Sequence, residues 1–194
     1  MSVRIKTDEQ LMLEYSSGNP KAFEELFRRY GTRIYNLFLR WERNAEAAQD
    51  LLQDCFVRVI EARDRYQPTK AFSNWLYTIA MNLLRDRQRQ RGRRKVRQFN
   101  ENEAEFLNIP DTDSRNRPDR VADRSSLKES VEEALHALPE DQKEAIMLSK
   151  YQGLSFLEIG QVLGISTEAA KQKAYRGMLT LRKSLAHLLE ELKS

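Results

Sequence analysis

Residues 155–185 read SFLEIGQVLGISTEAAKQKAYRGMLTLRKSL, and their local chemistry decides the fold. Ser155 stands where a helix needs an N-cap, and Glu158 follows three residues on, the spacing of a capping box. Phe156, Ile159, Val162 and Leu163 recur at helical spacing and predict an inner face. Gly160 is small enough for a second helix to cross closely, and Gly164 sits where a tight turn needs a positive φ. Ile165 plugs the angle between the helices, Ser166 or Thr167 caps the second, and Ala170, Ala174 and Met178 line its buried side. The pattern predicts a helix-turn-helix, whose second helix enters the DNA major groove. Ser166, Thr167, Glu168, Lys171, Gln172, Lys173, Tyr175 and Arg176 are then left to face DNA. Lys and Arg can read guanine or hold phosphate, and Gln can read adenine. Spacing alone does not assign bases to side chains, and it leaves open an ordinary helical corner with a solvated charged face.

Outward toward the N-terminus the chain stays helical in pattern. Gly153 marks a turn, residues 140–151 form a helix with Ile146, Met147 and Tyr151 inward, and Pro139 stops an earlier helix carrying Leu127, Val131, Ala134, Leu135 and Leu138. Residues 98–119 hold six acidic residues against two basic, with Pro110 and Pro118, which is linker chemistry. Residues 85–97, RDRQRQRGRRKVR, hold eight basic residues against one acidic. Before them, three amphipathic helices are expected to close a bundle. One covers residues 22–41 with Phe23, Leu26, Phe27, Tyr30, Ile34, Leu37, Phe38 and Trp41 inward, after Asn19-Pro20. A second runs from Ala45 to Arg65 on Ala48, Leu51, Leu52, Cys55, Phe56, Val59 and Ile60. The third carries Phe72, Trp75, Leu76, Ile79, Ala80, Leu83 and Leu84. A short helix over Asp8 to Ser16 precedes them. The expected fold class is all-α: two small helical domains, residues 1–97 and 125–194, joined by a flexible linker over 98–124.

Composition agrees. The 194 residues include only 7 Gly and 5 Pro, with 40% hydrophobic and 32% charged residues and a net charge of +4. The single cysteine, Cys55, allows no intrachain disulfide and no Cys-rich zinc site. His136 and His187 match no metal or triad motif and no Gly-rich phosphate loop exists, so no catalytic residue, metal site or cofactor is expected. No apolar run approaches the ~20 residues that span a bilayer, and the N-terminus has no apolar signal core. A cytoplasmic protein without membrane insertion is expected.

Two further surfaces stand out. Asp50, Gln53 and Asp54 lie at i, i+3 and i+4, so they share one helix face opposite the apolar stripe, continued by Arg58 and Glu61. The stretch from Tyr66 to Arg97 sets Tyr66, Phe72, Trp75 and Tyr77 beside Thr69, Lys70, Ser73, Asn74, Asn82 and the arginine run. Aromatics beside cations suit single-stranded nucleic acid, where bases stack and phosphates need charge. Phe72 and Trp75 also fit the core stripe, so Tyr66 and the 67–71 loop are the better stacking and pocket candidates. Arg85 and Arg89 share one helical face and Arg87 and Arg91 another.

Taken together, DLLQDCFVRVIEARDRY, FSNWLYTIAMNLLRDRQRQ and ALHALPEDQKEAIMLSKYQGLSFLEIGQVLGISTEAAKQKAYRGMLTL closely resemble the sigma-70 superfamily, and within it the extracytoplasmic-function group that has only regions 2 and 4. The resemblance covers about residues 8–190. It implies a sigma factor that binds core RNA polymerase and directs promoter-specific initiation, with polymerase supplying the chemistry. The D-x-x-Q-[DE]-x-F pattern at Asp50, Gln53, Asp54 and Phe56, with Arg58, looks like region 2.2, which docks on the beta-prime clamp helices; the beta flap is the other polymerase contact. Tyr66, Pro68, Thr69, Lys70 and Ala71, with Asn74 and Asn82, look like region 2.3, where a base is flipped from the melted −10 strand. Arg85, Arg87, Arg89 and Arg91 look like region 2.4 and should hold −10 phosphates. The helix-turn-helix looks like region 4.2, which reads duplex DNA at −35, and residues 125–151 look like region 4.1. The linker should thread polymerase channels. Lys171 and Lys173 stand where many members carry Arg, and Lys lacks the bidentate fork. Regulation by an anti-sigma factor is typical of the group. A ligand-sensing regulator that binds dyad operators alone is the rival reading; a gel shift with and without core polymerase separates the two.

Overall fold

The computed structural model describes residues 6–69, 71–102 and 124–186. Lys70, His187 and linker residues 103–123 lie outside them. Among the described residues eight α-helices follow in order: α1 (Asp8–Ser16), α2 (Pro20–Glu42), α3 (Ala45–Glu61), α4 (Phe72–Asn102), α5 (Arg124–His136), α6 (Glu140–Ile146), α7 (Phe156–Leu163) and α8 (Thr167–Ser184). No strand occurs among the described residues. Local chemistry sets most boundaries. Thr7 and Gln10 form a reciprocal capping box on α1. Asn19 caps α2 with Pro20 at its first position, and Arg43, in the left-handed region at φ 54°, ends it. Asn44 Oδ1 accepts from the Ala47 N–H at 2.8 Å and starts α3. The first N–H of α4, from Phe72, donates to Glu9 Oε1 at 2.9 Å, so α1 caps α4 across space.

Three boundaries differ from expectation. α3 ends at Glu61, and Arg63–Arg65 tighten into a 3-10 turn before Tyr66 and Pro68. α4 continues to Asn102, into the stretch read as linker from residue 98, because its Arg, Gln and Lys run favours helix and lacks proline. The helix expected over 140–151 widens into a π-helical turn at Met147–Tyr151.

The inward sets also shift in places. Phe27, Ile60, Tyr151, Phe156 and Met178 are exposed where an inner position was expected. On α8 the inward position is Gly177, held against Ile146, with Leu181 one turn on. α4 is buried on two sides: Phe72, Leu76, Ala80, Leu83 and Leu84 join Tyr77 and Met81 inside, while Trp75 and Ile79 lie at the margin. The second buried side exists because α7 packs on α4. One continuous core therefore joins α1–α4 to Met147, Leu148, Ile159, Val162, Leu163 and Ala170, and a smaller cluster of Leu135, Leu138, Ile146 and Leu181 sits under α5 and α8. The two modules are in contact.

Candidate nucleic-acid interface

The α7–α8 unit follows its sequence logic closely. Ser155 and Glu158 form the capping box, and the Ser155 hydrogen bonds hold the Glu158 carboxyl below its usual range. Gly164 takes φ 70°. A Cβ on Gly160 would lie 2.8 Å from the Ile165 carbonyl oxygen and 3.4 Å from the Thr167 nitrogen, so the close approach is to the turn and to the first residue of α8. Ser166, and not Thr167, caps α8, accepting from the Ala169 N–H at 3.1 Å. Thr167, Glu168, Lys171, Gln172, Tyr175 and Arg176 are exposed on one continuous face, with Tyr175 64% exposed. Lys173 departs from that set. It is half-buried and donates to Asp141 of α6 at 2.6 Å, a bond that holds the Asp141 carboxyl down. Its charge ties α8 to α6.

An aromatic cluster is built by α4 and the loop before it. Tyr66 lies 5.2 Å from Trp75 and 6.2 Å from Phe72, centroid to centroid. Its hydroxyl is buried with no hydrogen-bond partner among the described residues, and burial pushes it up to about 12. Pro68, Thr69 and Ala71 are exposed beside this cluster in sequence, and Asn82 is exposed about two turns further along α4. Asn74, expected to meet DNA, is instead 4% exposed, and its amide donates to Gln161 Oε1 of α7 at 2.7 Å. α7 covers it.

Arg85, Arg87, Arg89 and Arg91 of α4 divide by face as spaced, and each lies beside a carboxylate. Arg85 makes a bidentate pair with Glu144 of α6 at 2.6 and 2.7 Å, and these bonds raise the guanidinium pKa. Arg91 bonds Glu42, whose side chain is buried at the end of α2, and Arg87 lies 3.7 Å from the same carboxylate. Arg89 and Arg58 flank Asp86 at 3.6 and 3.7 Å. Glu42, Glu144, Gln152 and Gln161 were not singled out by sequence reasoning, since each is an ordinary polar residue until its partner across the fold is known.

On α3, Asp50, Gln53, Asp54 and Arg58 are exposed together. Phe56, read as part of the inward stripe and tied to this face only by the resemblance, is 5% exposed and packs edge-on against Phe23 and Phe27. It can position the face but cannot itself reach a partner. Cys55 is buried, and burial pushes its thiol up to about 12. Among the described residues no His, Cys, Asp and Glu group could hold a metal, and no helix is long and apolar enough to cross a membrane.

A bundle with an arginine-lined helix, joined to a helix-turn-helix, matches two family models in the same order: Sigma-70 region 2 over residues 26–94 and Sigma-70, region 4 over residues 128–181. The chain belongs to the sigma-70 family, as a sigma factor of the extracytoplasmic-function type. The RNA polymerase sigma factor CarQ of Myxococcus xanthus is 38% identical over 177 residues, 91% of this chain and 97% of CarQ. The ECF RNA polymerase sigma factor SigE of Mycolicibacterium smegmatis is 33% identical over 85% of this chain and 62% of SigE. The solved structure of CnrH in complex with the cytosolic domain of CnrY superposes with a TM-score of 0.71 at 26% identity, over 94% of this chain and 99% of CnrH.

Proposed function

We propose that this chain binds core RNA polymerase and directs initiation at promoters defined by two separated elements. The exposed face of α3, with Asp50, Gln53, Asp54 and Arg58, docks on the polymerase clamp. Tyr66, the loop through Ala71, Asn82 and the arginines of α4 hold the melted −10 strand. Tyr66 stacks on or beside the captured base, and Arg85, Arg87, Arg89 and Arg91 exchange carboxylates for phosphates. α8 enters the −35 major groove. An apolar groove lined by Val131, Leu135, Ile146, Met178 and Leu179 suits a helix of the polymerase flap. Since CnrH is solved with a cytosolic partner domain, an anti-sigma partner is expected here as well.

What carries this reading is α8. Its inner face is fixed by Ala170, Ala174 and Gly177, and its outer face presents Lys171, Gln172, Tyr175 and Arg176 together. The test is transcription from a library of promoter fragments by core polymerase with and without the chain. Discrete start sites that appear only with the chain are expected; their absence overturns the proposal. A gel shift in which the chain alone grips dyad-symmetric duplexes tightly would favour a conventional repressor instead.

A further inference from the structure

α1 precedes residues 26–94, which the region 2 family model matches, and the faces proposed to meet polymerase and promoter lie on other elements. Its side chains nevertheless meet both ends of the stretch assigned to the melted strand. At the near end the Ser16 hydroxyl donates to the Arg63 carbonyl at 3.2 Å, and the Arg63 guanidinium lies over the Tyr15 ring at 5.8 Å. At the far end Glu9 Oε1 accepts from the Phe72 N–H at 2.9 Å. Between these points Pro68, Thr69 and Ala71 are exposed, and the Tyr66 hydroxyl is buried with no hydrogen-bond partner among the described residues, so it adds no tether. The chemistry of the chain explains why α1 is needed. The residue at the N-cap position of α4 is Ala71, whose methyl group cannot accept a hydrogen bond. A carboxylate from another helix takes that place, and the dipole of α4 favours its charge there.

We propose that α1 is a splint for the strand-capturing stretch: Glu9 and Ser16 are positioning residues that hold Phe72 and Arg63, and through them Tyr66 and the exposed residues after it, in the shape that takes an unpaired base. This rests on the assignment of Tyr66 and its neighbours to the −10 strand. Phe72 passes on the Glu9 bond. It is fully buried, and its ring centroid lies 5.5 Å from Tyr30, 5.8 Å from Trp75 and 6.2 Å from Tyr66. A shift at the start of α4 therefore displaces the aromatic surface on which a base would stack. Neither positioning residue has to touch DNA, and Glu9 carries the same sign of charge as a phosphate. A strand that is taken only by the ordered arrangement loses affinity in proportion to the ordered fraction. Loss of the Glu9 bond weakens strand capture, while the exposed faces of α3 and α8, which share none of these bonds, keep their own partners.

The experiment uses the full chain assembled with core polymerase and a promoter mapped with the parent chain. Anisotropy of a labelled single strand carrying the −10 segment gives strand affinity; competition for core polymerase, −35 duplex affinity and helix content are measured on the same samples. Glu9→Gln keeps an acceptor oxygen at the same reach without the charge, and Glu9→Asp keeps the charge at shorter reach. Glu9→Asp and Glu9→Ala are expected to weaken single-strand binding about fivefold, with Glu9→Gln within about twofold of the parent and Ser16→Ala down about twofold. The salt slope should match the parent in all four, because no phosphate contact is lost. Parental strand affinity in Glu9→Asp overturns the splint, as does a loss in Glu9→Gln as large as in Glu9→Asp, or an equal loss of core competition and duplex affinity. Should Glu9→Ala lose helix content, the Asp and Gln variants carry the test. Promoter-specific transcripts from the parent together with unchanged strand binding in the Glu9 variants remove the splint alone, whereas no specific transcript removes the proposed function and the splint with it.

Discussion

Lys143 is the side chain most at odds with its surroundings. Its ammonium is buried, faces the Trp41 ring and lies 3.5 Å from the Trp41 carbonyl oxygen. Burial pushes its pKa down to about 8; Glu42 and Glu140 pull it back up, while Arg43 and Arg91 push with the burial. Between about pH 8 and the ordinary lysine value of 10.5 the unfolded chain therefore binds a proton that the folded chain does not. Stability from this group rises with pH across that window, and below it the full burial penalty remains. Lys143→Met removes the charge at nearly constant length. It is expected to stabilise the chain by on the order of 1 kcal/mol at pH 7, an advantage that shrinks as pH climbs from about 8. Urea titrations at a series of pH values measure this, and a difference between the two proteins that ignores pH would refute it. Tyr66 and Tyr77, both pushed up by burial, titrate in both proteins and cancel. Cys55 gives a simpler outcome: a thiol reagent should leave the native chain unlabelled and react only after denaturation. Sequence made Cys55 legible as a buried helix residue, since its neighbours fix its phase. It could not mark Lys143, whose burial comes from Trp41, 102 residues away.

At the scale of elements, legibility follows locality. The caps at Ser155 and Ser166, the left-handed turn at Gly164 and the crowding at Gly160 are all encoded within a dozen residues, and they appear as read. Gly160→Ala would push a methyl group against the Ile165 carbonyl, which is backbone and cannot rotate away. A cost of about 1–3 kcal/mol is expected, with weaker duplex binding as α8 is displaced. Gly164→Ala should cost about 1 kcal/mol through its positive φ, with less displacement. Chemical denaturation and duplex affinity on the same samples check both; Gly160→Ala with parental stability would show that the turn yields easily. What sequence did not show was the second buried side of α4. Tyr77 and Asn74 are polar or amphipathic and read as nucleic-acid-facing until Gln152 and α7 are laid over them. Thr78 masks the contact further by donating to its own helix at the Asn74 carbonyl, 2.8 Å away, while the Val162 carbonyl lies 3.4 Å off. The π-helical turn was illegible for a related reason: a single extra residue per turn leaves the apolar pattern at Met147 and Leu148 intact.

For the whole molecule, two DNA-facing surfaces with different chemistry make salt an informative probe. Each phosphate contact lowers the slope of log affinity against log salt by about 0.9 on duplex and about 0.7 on a single strand, whereas a base contact changes sequence preference more than slope. Arg85, Arg87, Arg89 and Arg91 of α4 each lie beside a carboxylate in the free chain, and of these four Arg85 takes its carboxylate from the other module. Replacing Arg89, whose partner Asp86 is half-exposed on the same helix, should therefore reduce the single-strand slope of the polymerase complex by about 0.7 and leave −35 preference untouched. Replacing Lys171 and Arg176 should act on the duplex element. A side chain there that holds phosphate reduces the slope by about 0.9, and one that reads a base leaves the slope while relaxing preference at one position. Asp50, Gln53 and Asp54 changed together to Ala should do neither, because their face is acidic and exposed on the far side of α3 from the core; their loss should weaken competition for core polymerase with helix content unchanged. Filter-binding of assembled complexes across a salt series, with start-site mapping on the same variants, measures all three. If the α3 variant altered a DNA slope while competing normally for polymerase, the division of labour between the three faces would be wrong.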